Sequence, residues 1–102
     1  MNKNQVIEQI KEELIELNFN VNSVGIAYWI EAIKYAKENP LVWNMTDIYE
    51  NVAKKYNTTT SKVERGMRTA ISPAKKNIEK KYKYYNKINN GTYIGLIRYK
   101  LI

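Results

Sequence analysis

The 102-residue chain contains no cysteine and no histidine. That excludes disulfides, zinc sites with cysteine or histidine ligands, a thiol nucleophile and an imidazole base. With no nucleophile–base pair and no metal-ligand set, we expect no catalytic residues, no metal and no cofactor, and the chain does not read as an enzyme. No apolar run is long enough to span a bilayer, and Met1-Asn2-Lys3-Asn4 does not lead into a signal-peptide core. A cytoplasmic, nucleoid-associated location without a membrane partner is the expectation. Carboxylates are scarce in one half. Residues 51–102 carry thirteen Lys and Arg against Glu64 and Glu79 alone, a net of +11, whereas residues 1–50 carry four lysines against eight acidic residues, a net of −4. The overall +7 therefore hides a polyanion-facing half and a supporting half.

What is present suffices for one domain over residues 1–102. Apolar residues make up 44% of the chain, ordinary for a globular protein, and this length buries roughly two-thirds of the unfolded surface. Val6, Ile10, Leu14 and Leu17 recur at helical spacing, predicting a helix from about Gln5 to Leu17 with Glu8, Glu12, Glu13 and Glu16 facing outward. Asn18 to Asn22 reads as a polar connection. A second helix is expected from about Ser23 to Lys37, with Ile26, Trp29, Ile30 and Ile33 inward, ended by Asn39-Pro40. Leu41-Val42-Trp43 reads as an apolar linker tucked onto the core, with Trp43 a packing anchor. A third helix should start near Asp47, with Glu50 completing a capping box.

Pro73 removes one helical hydrogen bond, but Ser72 as cap and Pro73 at the first position make a good helix start. The fourth helix is therefore expected to end near Ser72 and a fifth to begin at Pro73, a single kinked helix being the alternative. The fifth helix would turn Ala74, Ile78, Tyr82, Tyr85 and Ile88 inward and stop at Asn89-Asn90-Gly91. A last helix from about Thr92 would place Ile94, Leu96, Ile97 and Leu101 for burial or a subunit contact. The fold class is all-α, about six helices around a central helix-turn-helix of the winged-helix-like effector-domain type, without a sheet.

The helix-turn-helix is read from residues 47–72. Val52, Tyr56, Val63 and Met67 supply packing positions, Ala53 is small where two helices approach, and Asn57 tolerates the left-handed turn the corner needs. The fourth helix begins at Thr59 or Thr60 as cap. Ser61, Glu64, Arg65, Arg68 and Ser72 share one face, and Val63, Met67, Ala70 and Ile71 the other. An arginine fork matches guanine O6 and N7, and a glutamate accepts from the cytosine amino group, so Glu64 and Arg65 point to a DNA site holding both G and C. Arg68 suits either a base or a phosphate. Lys54, Lys55 and Lys62, with Thr59 and Ser61, are candidates for phosphate contacts, which set register without reading sequence. The competing structural reading of this face is a Glu64–Arg68 ion pair on an ordinary amphipathic helix.

Ile48-Tyr49, Ala53-Lys54-Lys55-Tyr56-Asn57-Thr58-Thr59, Ser61-Lys62-Val63-Glu64-Arg65 and Arg68-Thr69-Ala70-Ile71 resemble the C-terminal effector domain of the master response regulator of sporulation initiation (stage 0 sporulation protein A). That family's recognition helix reads Ser-Arg-Val-Glu-Arg-Ala-Ile-Arg-His-Ala-Ile. Gly25-Ile26-Ala27-Tyr28-Trp29-Ile30-Glu31-Ala32-Ile33 and Asn90-Gly91-Thr92-Tyr93-Ile94-Gly95-Leu96-Ile97 are similar to its flanking segments. The resemblance implies a bacterial, six-helix transcription regulator that binds double-stranded DNA at boxes of the type TGNCGAA, often as two subunits in tandem. It implies base contacts by Glu64 and Arg65 and a DNA contact by Arg68. Lys62, Gly66, Met67 and Thr69 depart from the family pattern. The segment that in the family engages RNA polymerase is shorter, so repression or competition is expected rather than activation. With no receiver domain in view, phosphorylation-independent binding and homodimerisation through the last helix are further expectations. Two other readings remain: a module that pairs with and antagonises a full-length regulator, and a nonspecific nucleic-acid binder using the Lys/Tyr-rich segment near residue 80.

Overall fold

Two asparagines in the left-handed region set the first and third corners. In the computed structural model, which describes residues 2–42 and 44–100 with side chains through Arg98, α1 (Lys3–Glu16) ends on Asn18 at φ 68°. The Asn18 N–H then reaches the Ile15 carbonyl and the Phe19 N–H the Leu14 carbonyl, both at 3.0 Å, the paired bonds of a Schellman motif. The same device ends α3 (Met45–Lys55), with Asn57 at φ 51° and the Thr58 N–H on the Ala53 carbonyl at 3.0 Å. Between them lies α2 (Gly25–Glu38). α4 (Thr60–Ile71) passes through a 3-10 turn at Ser72–Ala74 into α5 (Lys75–Tyr82), and α6 (Asn90–Lys100) closes the chain. The fold is all-helical, with no strand among the described residues.

α2 and α4 cross at the closest approach the backbone permits. A Cβ built on Gly25 would stand 1.9 Å from the Gly66 carbonyl oxygen, and one on Gly66 would stand 3.0 Å from the Tyr28 ring. Next to this crossing the buried Trp29 indole donates to the Met67 carbonyl at 2.8 Å. Phe19, Trp29 and Tyr93 meet with ring centroids 5.2–5.5 Å apart, a separation at which tilted and edge-on rings attract. Val63, Met67, Ala70 and Ile71 close the α4 side of this core, as their spacing indicates.

Several boundaries and burials differ from the sequence expectation. α2 turns Tyr28, Trp29, Ala32, Ile33 and Ala36 inward, while Ile26 and Ile30 are only partly buried. Leu41 is 89% exposed rather than tucked in, and Trp43 lies outside the described residues, as does Leu101. α3 starts at Met45 on an Asn44 cap, whose side chain accepts from the Asp47 N–H at 2.9 Å, so no capping box forms at Asp47. Ser72 supplies no side-chain cap, and the chain stays right-handed through Pro73; a 3-10 turn absorbs the missing N–H without a break. α5 then ends at Tyr82 because Lys83 enters the left-handed region at φ 52°. That leaves Tyr85 74% exposed, although Ile88 still reaches the core from the loop, and α6 begins at Asn90.

Phe19 and Glu13, read as connection and solvent face, are both inside. Glu13 is 6% exposed, accepts from Lys81 Nζ at 2.6 Å and is hydrogen-bonded by the Tyr82 hydroxyl. Burial first, and the nearby Glu13 carboxylate second, push the Tyr82 and Tyr93 phenols above their usual 10.0. Burial alone would lower Lys81, but its bonds to Glu13 and Glu16 outweigh it and raise the ammonium above 10.5.

Two outcomes follow for stability. Gly25→Ala should cost about 3 kcal/mol, because main chain cannot yield as a side chain can. Gly66→Ala, where only the Tyr28 ring must move, should stay within about 1 kcal/mol of the parent; urea titration of both variants checks this. Groups that hold protons more tightly when folded stabilise the fold fully below their unfolded pKa and lose that contribution as pH rises. The melting temperature should therefore fall above pH 10.0, and Tyr82→Phe should blunt the fall in circular-dichroism melts.

Candidate nucleic-acid interface

α4 carries the candidate interface because its two faces differ so sharply. Thr59 caps it, its hydroxyl accepting from the Lys62 N–H at 3.2 Å, which places Thr60 and Ser61 in the first turn. Met67 and its neighbours anchor the buried face, so the rod cannot roll, and Ser61, Glu64, Arg65 and Arg68 are held on the outer face. These four line a groove completed by Thr46, Tyr49 and Thr60. Ser61, Arg65 and Arg68 are exposed and Glu64 is intermediate.

Arg68 grips Glu64 with two bonds, Nε to Oε2 at 3.0 Å and an η-nitrogen to Oε1 at 3.3 Å. The side chains are 63% and 38% exposed, so the pair is worth only tenths of a kilocalorie per mole, in the range of an exposed i,i+4 pair. What it does is fix the carboxylate direction. Arg65, one residue on, is exposed, lines the groove and has no ion-pair partner among the described residues. The ion pair and an available Arg65 therefore coexist on one face.

Two residues absent from the sequence-derived set support this face from below. Asn90, 5% exposed, donates from Nδ2 to the Tyr49 hydroxyl at 3.1 Å and to the Glu64 main-chain oxygen at 3.3 Å. α6 is thereby tied to α4 at the residue that carries the carboxylate. Burial raises the Tyr49 phenol, keeping it neutral. Tyr49 lies three residues before Val52 on the packed side of α3, a spacing legible in sequence; nothing local marks Asn90, which depends on where α6 arrives.

The basic candidates divide. Lys54 and Lys62 are exposed without an ion-pair partner among the described residues. Lys55 instead reaches the buried Glu31 at 2.9 Å, and this bond holds its ammonium pKa above the usual 10.5. Lys54 lines a shallow recess with Asn57, Thr58 and Thr60 at the corner of the helix-turn-helix. Ser72, expected on the reading face, is exposed at the start of the 3-10 turn. No helix among the described residues is long and apolar enough to cross a membrane.

Residues 10–101 match the family model described as Sporulation initiation factor Spo0A C terminal. The matched span takes in all of α2 to α6 and the second half of α1.

The cap is directly testable. Thr59→Ala should lower stability by about 1 kcal/mol, and Thr59→Asn should restore most of it, both read from denaturant midpoints.

Proposed function

Since the chain belongs to the Spo0A C-terminal family and is thus a DNA-binding transcription regulator domain, we propose that it reads double-stranded DNA in a sequence-specific way, with α4 in the major groove. The observation that carries this reading is Arg65, exposed and without an ion-pair partner among the described residues, beside the doubly held Glu64 carboxylate on the outer face of a helix whose opposite face is fully buried. Arg65 is assigned to guanine O6 and N7, and Glu64 to a cytosine amino group. Arg68 keeps that carboxylate aimed and meets the DNA itself at the edge of the contact. A box of the TGNCGAA type contains the G and C this requires.

Lys54, Lys62, Thr59 and Ser61 contact phosphates along one flank. Lys55 joins them by sharing its ammonium with Glu31. The reading face is open in this fold, which supports binding without prior phosphorylation. The stretch between α4 and α6 comprises a 3-10 turn, an eight-residue α5 and a loop. So little structure there supports action by occupying promoter boxes, as a repressor or competitor. On tandem boxes two copies would meet through the last helix, where Gly95 has open space around it.

Arg65→Ala tests the assignment. It should reduce the preference for a box-containing over a scrambled duplex by about 1–3 kcal/mol in fluorescence-anisotropy titrations. Equal wild-type affinity for both duplexes would falsify sequence-specific reading.

A further inference from the structure

A second groove opens on the other side of the Glu64–Arg68 pair, between the start of α3, the C-terminal half of α4, the start of α5 and the start of α6. Tyr49, Arg68, Lys75, Lys87 and Asn90 are among its walls. It shares Tyr49, Glu64 and Arg68 with the reading groove, so the two form one continuous surface. Glu64 is the one carboxylate lining it among the described residues, and Arg68 already neutralises that group. Lys75 and Lys87 have no ion-pair partner among the described residues. The groove therefore carries an excess of two positive charges that no carboxylate among the described residues pairs.

Its position suits a particular anion. Lys75 follows Arg68 by seven residues along a rod that stays helical through Pro73, about two turns or roughly 10 Å of rise. The DNA major groove is about 12 Å across and is walled by a phosphate strand on each side. Lys54 and Lys62 sit toward the N-terminal end of α4, and Lys75 with Lys87 toward its C-terminal end. The buried Asn90 Oδ1 has no hydrogen-bond partner among the described residues; a water bridging it to a phosphate oxygen would satisfy both.

We propose that this second groove takes the sugar-phosphate backbone of the same duplex, with Lys75 and Lys87 as two phosphate contacts that extend the footprint beyond the helix-turn-helix. The proposal rests on α4 lying in the major groove. The test uses the full chain on box-containing and scrambled duplexes across a series of salt concentrations. Removing two phosphate contacts with Lys75→Ala/Lys87→Ala should reduce the magnitude of the slope of log affinity against log salt by about 2 on both duplexes, leaving the ratio between them unchanged. Lys75→Arg/Lys87→Arg should restore the slope. Lys3→Ala/Lys11→Ala removes the same charge from α1 and should leave the slope near the parent value. An unaltered slope in the Lys75/Lys87 variant, or an equal change in the α1 control, overturns the second groove. Loss of box preference in the wild type would instead sink base reading by α4, and the slope on the scrambled duplex would still judge the groove.

Discussion

The crossing of α2 over α4 is the constraint on which the rest depends. Only a residue without a Cβ fits at Gly25, because the Gly66 carbonyl occupies the space a methyl group would need. That contact brings the Trp29 indole to the Met67 carbonyl, and the aromatic cluster of Phe19, Trp29 and Tyr93 fills the volume behind it. A helix held on one face this tightly has one orientation left for the other. The outer face follows from packing: Ser61, Glu64, Arg65 and Arg68 lie outward because Val63, Met67, Ala70 and Ile71 are buried on the other side.

The uneven charge of the chain acquires a structural meaning in the same way. Two glutamates of the acidic half are buried, and each takes a lysine from the basic half: Glu31 holds Lys55 and Glu13 holds Lys81. A buried carboxylate is tolerated when it is paired and hydrogen-bonded, and the Tyr82 hydroxyl supplies the further bond to Glu13. These ties join α2 to α3 and α1 to α5. They engage two of the thirteen cations of the basic half in holding the fold, Lys81 at a site half shielded from solvent and Lys55 at an exposed one. Lys54, Lys62, Lys75, Lys87 and Arg65 are among the cations left, and none of these five has an ion-pair partner among the described residues.

Legibility from sequence followed the range of the interactions. The left-handed Asn57, the Thr59 cap and the two faces of α4 were all readable, since each depends on groups within four residues. Helix ends governed by a single residue in an unmarked conformation were not: Lys83 turns left-handed where lysine gives no signal, so α5 stops six residues short of Ile88 and Tyr85 faces solvent. Pro73 was read as a boundary, and α4 does end at Ile71, but a 3-10 turn rather than a Ser72 cap carries the chain into α5 at Lys75. Glu13 shares its charge with three exposed glutamates of α1, and only partners 68 and 69 residues away distinguish it.

The sequence by itself determined a helical domain, its helix-turn-helix and the arginine-bearing outer face, because periodicity, capping and turn chemistry are local properties of the chain. The tertiary structure alone decided which acids lie inside, that α6 braces Glu64 through Asn90, and that Lys75 and Lys87 share a groove with Arg68. The physical reason is that burial and convergence depend on which distant segments the core brings together, and no spacing within one helix encodes that.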